Sequence, residues 1–336
     1  MNRVRFPQPD ILEPASGSRR RFLVRAGLTG AALWLDLPGC TPAEPLRIGS
    51  HVWPGYEFLF LAHREGWLDD AGIQIVETGS ASESLAALAD GRIDGAALTL
   101  DEVLRGSSER FAPLVVLLFD ISAGADVVLA KRAPARLADI RGWRIGVETS
   151  ALGTLMLNKL LEAAGLNPGD VETVSVTADG HLQAWASDTV DALITYEPSA
   201  YKLEDLGALR IFDSHQLPET IIDVLAVSRA AADRKPGPLR SLIAGYFRAR
   251  HLWQTNPIDS AYRMAGHLGV SANEVARLYR GMELPDLAYN RHLLAPPATE
   301  MQAAVLSIYA TIPELRSGSI PAEQLFTAQF LPDIPL

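Results

Sequence analysis

From Leu46 onward, short apolar runs of strand length alternate with stretches whose apolar residues recur every three or four positions. That alternation is the mark of strands separated by amphipathic helices. It predicts strands over Leu46–Ser50, Ile73–Thr78 and Ile93–Leu98, with helices over Phe58–Glu65 and Glu83–Ala89. The same order returns 97 residues later, with Arg47-Ile48-Gly49 recurring as Arg144-Ile145-Gly146 and "LAALADGRID" as "LQAWASDTVD". The second copy predicts strands over Trp143–Glu148, Val171–Val176 and Ala192–Tyr196, and helices over Ala151–Ala164 and Gly180–Ala186. In "ETSALGTLMLNKLLEAAG", Leu152, Leu155, Met156, Leu160 and Ala163 fall on one helical face, with Gly165 at the stop position.

Strand and helix in strict alternation imply right-handed crossovers and a largely parallel sheet, and two copies imply two α/β lobes. Ligands of such sheets bind beyond the carboxyl ends of the strands, so facing lobes would share one cleft. Between the copies, "LVVLLFDISAGADVVLAK" joins two apolar runs by a polar step, and "IIDVLAVS" follows the second copy. The chain is therefore expected to cross between lobes twice. Residues 46–122 and 222–336 would form the first lobe and 123–221 the second, with hinges near Ile121–Asp126 and Ile221–Ser228. Beyond Arg229 the pattern turns helical with proline breaks, a tail expected to wrap the first lobe.

The chain has 336 residues, 48% apolar and 21% charged, enough for such cores. Its formal charge of -10 disfavours nucleic acid or an anionic membrane surface as a partner. One cysteine, Cys40, excludes an internal disulfide. It closes a segment in which Ser18-Arg19-Arg20-Arg21-Phe22-Leu23 precedes an apolar run from Val24 to Leu37, then Leu37-Pro38-Gly39-Cys40. A basic patch before an apolar run of that length is the layout of a secretion signal. Residues 1–40 resemble a twin-arginine-type lipoprotein signal peptide ending in a lipobox, which implies that Cys40 becomes the lipidated first residue of the mature protein. Residues 41–45, with two prolines and no periodicity, read as a tether.

Candidate chemistry lies at the strand ends. Thr149 and Ser150 stand where the predicted 151–164 helix begins; they either cap it or help its free N–H groups accept an oxyanion. Trp53 and Tyr56 in "HVWPGYEF" either stack on a planar or cationic ligand or cover the lobe's own core. Ser80 and Ser82 in "TGSAS" are ligand donors or caps. Thr99 matches Tyr196 across the repeat, and each copy puts an acidic residue just after its third strand, Asp101 in one and Glu197 in the other; Asp101, Glu102 and Glu197 equally suit compensation of a helix dipole. The motifs of serine hydrolases, zinc proteases, phosphate loops and dinucleotide sites do not occur, and no histidines pair at i,i+4. The expectation is a protein that turns nothing over and needs no metal or cofactor.

The ordered set "RIGSHVWPGYEFLFLAHREGWLDDAGIQIVE", "SLAALADGRIDGAALT", "RGWRIGVETSALGTLMLNKLLEAAGL" and "DALITYEP" resembles the periplasmic solute-binding proteins of ABC importers, in their nitrate/sulfonate/taurine and thiamine-precursor group. The resemblance implies a two-lobed type II periplasmic binding protein fold, with mixed sheets, flanking helices and a cleft that closes on one small organic solute. It implies as partners a permease and an ATPase, an extracytoplasmic location held to the membrane by lipid alone, and a monomer. Carried over by position, the implied ligand loops are Trp53 to Tyr56, Ser80 to Ser82, Thr99 to Asp101, Thr149 to Gly153, and Tyr196-Glu197. Two other roles on similar folds stand beside it, a chorismate-processing lyase and a sensory binding subunit.

Overall fold

A computed structural model describes residues 44–336 apart from 109, 150, 151, 219, 317–319 and 334–336. The expected leader with Arg19, Arg20 and Cys40, and the expected contact Ser150, lie outside the described residues. Glu44–Leu336 forms one compact unit.

Its strands are β1 (Leu46–Ser50), β2 (Ile73–Glu77), β3 (Gly95–Thr99), β4 (Pro113–Ser122), β5 (Asp126–Ala130), β6 (Arg144–Val147), β7 (Glu172–Ser175), β8 (Ala192–Tyr196), β9 (Leu209–Asp213), β10 (Ile222–Ser228) and β11 (Met282–Glu283). They form two sheets, one in the order β11-β4-β10-β3-β1-β2 and the other β7-β6-β8-β5-β9. The expectation of largely parallel sheets holds only for β3-β1-β2 and β7-β6-β8, which pair parallel. The strands arriving from the crossovers, β4, β5 and β10, pair antiparallel. Runs such as "GAALT", "PLVVLLFDIS" and "DVVLA" are buried along their whole length because helices cover both faces of these sheets.

The repeat has a physical counterpart at its anchors. In the first copy Asp94 accepts from the Arg47 backbone N–H at 2.9 Å, and in the second Asp191 accepts from the Arg144 N–H at 2.9 Å. Each aspartate thereby ties the approach to the third strand of its lobe to the start of the first.

The helices that open onto the space between the sheets are α1 (Glu57–Arg64), α2 (Ala81–Ala89), α3 (Leu100–Gly106) and α4 (Gly153–Ala164). On α4 the buried face is Leu155, Met156, Leu157, Leu160, Leu161 and Ala164, and Gly165 ends the helix at φ 65°. Ala163, expected on that face, is exposed, with Ala164 in its place. The C-terminal tail packs helix Pro236–Thr255 on α1, and it also reaches the second lobe. Asn158 donates to the Thr311 carbonyl, and the Tyr201 hydroxyl donates to Glu274. The tail is therefore shared between the lobes rather than wrapped on the first alone.

Candidate functional site

After β1 the chain turns through Pro54–Tyr56 into α1, and the turn drives Trp53 and Tyr56 inward until they are 3% and 1% exposed. The indole N–H of Trp53 donates to Asp120 Oδ2 at 3.0 Å, and the Tyr56 hydroxyl donates to Asp223 Oδ1. Asp120 on β4 and Asp223 on β10 are register partners, so two neighbouring carboxyl groups grip the two rings. Gly55 makes this possible: a Cβ there would lie 1.8 Å from Asp120 Oδ2. Tyr56 also packs on Phe119, with ring centroids 5.0 Å apart, so these rings belong to the core and face the cleft at once.

The cleft is a cavity between the lobes. His51, Trp53, Tyr56, Thr99, Glu102 and Asp223 line it from the first sheet's side, and Asp126, Leu152 and Tyr196 from the second. The enclosed free space is about 10 Å³, room for about one water molecule. Its walls are aromatic, with Tyr196 5.6 Å from Trp53 and 5.9 Å from His51. They are also acidic, with no lysine or arginine among the described lining residues. Burial pushes Asp126 and Asp120 up to about 7 and Glu102 up to about 8, the last helped by the neighbouring Asp101 charge. Asp223 is raised well above the usual carboxylate range, by burial first and by Asp120 second. Burial lowers His51 to about 4 and keeps it neutral. Three polar atoms on these walls, Asp126 Oδ2, the Tyr196 hydroxyl and His51 Nδ1, are buried without a hydrogen-bond partner. Among the described residues no three His, Cys, Asp or Glu are grouped to hold a metal ion.

Two carboxylates cross from lobe to lobe. Glu102 accepts from the Thr99 N–H of its own lobe at 2.9 Å and from the Leu152 N–H at the start of α4 at 3.1 Å. Glu148, at the end of β6, accepts from both the backbone N–H and the hydroxyl of Ser82 in the first turn of α2. Each lobe thus offers a carboxylate to the N-terminus of a helix in the other, where free N–H groups and the helix dipole favour negative charge. Close approach at α4 depends on Gly153, whose Cβ would lie 2.8 Å from the Glu148 carbonyl oxygen.

Of the residues expected from sequence, Trp53, Tyr56, Thr99 and Tyr196 meet at this cavity. Ser82 sits at the lobe junction through Glu148, while Ser80 caps α2 by accepting from the Glu83 N–H at 3.2 Å. Asp101 is 1% exposed beside the cavity, accepting from the Thr99 hydroxyl at 2.7 Å, and is not among the lining residues. Thr149 is exposed, its carbonyl taken by Thr154. Glu197 lies elsewhere, in a separate cavity of about 280 Å³ with Arg210 and Arg277, and its carboxylate accepts from the Tyr201 N–H at 2.9 Å. Burial pushes Glu197 up to about 7. Sequence reasoning did not single out His51, Asp126 or Asp223 as ligand contacts, and read Glu102 only as compensation for a helix dipole. A Thr-x-x-Glu capping box at Thr99 was the signal available for Glu102.

A model of the NMT1-like family matches residues 39–266. The taurine-binding periplasmic protein of Escherichia coli is 23% identical over 211 residues, which is 60% of this chain. The match spans 66% of that relative's length, just under two thirds. Among solved structures, the alkanesulfonate-binding protein SsuA of Xanthomonas axonopodis pv. citri, bound to MOPS, superposes with a TM-score of 0.68 at 20% identity, covering 84% of this chain and 97% of that one. A Candida albicans gene product described as having the generic periplasmic binding protein fold gives 0.60 at 14% identity, over 84% of this chain and 97% of that one. These likenesses show a two-lobed periplasmic binding protein fold of mixed sheets and flanking helices.

Proposed function

The chain belongs to the NMT1-like family, and from that premise we propose that it is the extracytoplasmic substrate-binding subunit of an ABC importer. It captures one small organic solute between its lobes and presents it to a permease with its ATPase. The observation that carries this reading is the cavity itself: residues from the loops and strand ends of both sheets converge on it, as expected where open α/β sheets bind ligands. Residues 46–122 and 222–336 act as one lobe and 123–221 as the other. They turn about the two crossings near Ile121–Asp126 and Ile221–Ser228, which the Ser122 N–H ties together by donating to the Ile221 carbonyl at 2.9 Å. Trp53, Tyr56, Thr99 and Tyr196 contact the solute. The subunit acts as a monomer and returns its ligand chemically unchanged.

Among the described residues no helix is long and apolar enough to cross a membrane. We assign the membrane attachment to lipid on Cys40, after export directed by Arg19 and Arg20, on the leader pattern alone. Labelling with a palmitate analogue marks the wild type and not Cys40→Ala; equal labelling of both removes the anchor. For the binding role, the test is a melting-temperature screen of sulfonates, nitrate, pyrimidines, flavins and amines, because a ligand of the folded state raises the midpoint. A screen in which none of these raises it, or in which the recovered solute has been converted, refutes the reading.

A further inference from the structure

Resting on the solute-binding reading, we propose that the interlobe cavity selects a small organic cation bearing N–H donors, a protonated amine or ring N–H, and rejects free sulfonates. Three carboxyl groups, Glu102, Asp126 and Asp223, face the space together with His51 and three further aromatic rings. Asp120 stands directly behind, on the Trp53 indole. The described walls carry no basic side chain that would balance a bound anion.

At each of the two helix ends facing the other lobe, an N–H already has a carboxyl acceptor. The N–H of Leu152 is held by Glu102 and that of Ser82 by Glu148. A sulfonate at either end would have to displace a carboxyl group that already accepts there, in a desolvated space whose described walls offer no basic side chain.

The unpartnered atoms point to the complementary chemistry. Asp126 is 2% exposed, and its Oδ2 has no hydrogen-bond partner; the nearby Tyr196 hydroxyl and His51 Nδ1 are likewise buried and unpartnered. A buried acceptor left without a donor is costly, and an N–H-bearing cation supplies one along with the opposite charge. The edge-to-face rings of Trp53 and Tyr196 add walls suited to a cation. Burial raises Asp126 to about 7 and Glu102 to about 8, so near pH 7 each site holds part of a proton; a bound cation favours the ionised forms, so protons leave on binding. The titratable groups facing Asp126 are Glu102, Asp223, His51, Tyr56 and Tyr196 and, in an adjoining cavity, Glu148 and His181, with Asp101 and Asp120 nearby; burial lowers both histidines to about 4, so none of them supplies a positive charge near pH 7.

The test is calorimetric titration of the full-length protein with ethylamine, benzylamine and 4-aminopyridine, against ethanesulfonate and benzenesulfonate, from pH 6 to pH 8. The expected result is binding of at least one amine, proton release on binding, affinity that rises with pH, and no heat from either sulfonate. Asp126→Asn should lower amine affinity at least tenfold while the free protein still melts cooperatively. Should that variant not fold, Glu102→Gln gives the same reading. Binding of a sulfonate with no binding of amines overturns the cation and leaves the solute-binding role standing, whereas silence from all five probes removes the cation and counts against the role itself. Full amine affinity in a folded Asp126→Asn also overturns the inference.

Discussion

On the proposed turning of the lobes, the reciprocal contacts between them put a measurable free energy on closure. Glu148 accepts two hydrogen bonds from Ser82, one from the backbone N–H at 3.0 Å and one from the hydroxyl. Both are charge-assisted, and the Glu148 side chain is buried where they form. Hydrogen bonds to a charged group contribute about 1.5–3 kcal/mol net, against about 0.5–1.5 for neutral pairs. Glu148→Gln keeps the shape and an acceptor oxygen but removes the charge, so each bond weakens by about 1 kcal/mol. The pair then disfavours the closed arrangement by about 2 kcal/mol, roughly thirtyfold in the open-to-closed ratio. In the open arrangement the carboxylate is hydrated and the substitution changes little, so the whole effect falls on closure.

Single-molecule energy transfer reads that ratio directly. Leu206 and Tyr262 are 72% and 70% exposed and lie on the second-lobe and first-lobe sides, so dyes on cysteines placed there, in a Cys40→Ser background, report the separation. Open and closed dwell times are compared, which keeps a minor open state measurable. Asp139→Asn is the control, because Asp139 accepts from the Arg136 N–H at 3.0 Å inside one lobe. The expected outcome is a ratio raised by roughly tenfold to thirtyfold for Glu148→Gln, within the range of the two bond energies, and unchanged for Asp139→Asn. Equal ratios in wild type and Glu148→Gln would refute the latch.

Other outcomes follow from the same geometry. Glu197→Gln should leave affinity within about twofold and cost roughly 0.3–1 kcal/mol of stability, since Glu197 serves the Tyr201 N–H at the start of a short helix; a tenfold loss of affinity would return it to the site. Gly55→Ala should destabilise the fold by at least about 1–3 kcal/mol in urea titration, because its Cβ collides with the Asp120 carboxylate; a neutral result contradicts the cradle. Stability should fall as pH rises from 6.5 to 8. Carboxyls raised in the folded state, Asp120 and Asp126 to about 7 and Glu102 to about 8, stabilise most when protonated, and that contribution fades as pH climbs through those values. The buried His51 and His181, lowered to about 4, act with the opposite sign but only below their ordinary value near 6.5. Each carboxyl contributes at most about 1.4 kcal/mol per pH unit, and a melting temperature that is flat or rising across that window would contradict the assignment.

What the sequence made legible was local and repeated. Arg47 and Arg144 stand at equivalent places, and the bonds to Asp94 and Asp191 have the same length because the same βαβ unit is folded twice. Trp53 and Tyr56 were visible because large rings on a Pro-Gly turn have few uses, and Tyr196 because the repeat maps it onto Thr99. What stayed hidden depends on strands brought together from far along the chain. Asp223 is an aspartate inside an apolar run, unremarked until β10 lays it against Asp120 and brings it to the hydroxyl of Tyr56, 167 residues away.

Glu102 and Glu148 show why electrostatic roles are the hardest to read from sequence. Glu102 satisfies its capping box with Thr99 through one oxygen, which is all that local spacing can reveal. Its other oxygen meets Leu152 only because a second lobe faces the first. By local spacing the α4 N-terminus was either simply capped or open to an external oxyanion; the fold brings it an acceptor from within, on Glu102. With the Leu152 and Ser82 N–H groups engaged by the protein's own carboxyls, the unpartnered buried side-chain atoms on the cavity's described walls are Asp126 Oδ2, the Tyr196 hydroxyl and His51 Nδ1, and the Asp126 oxygens, once ionised, can only accept. Selectivity in this cleft therefore turns on how far ligand N–H groups can replace the latch contacts that opening must break.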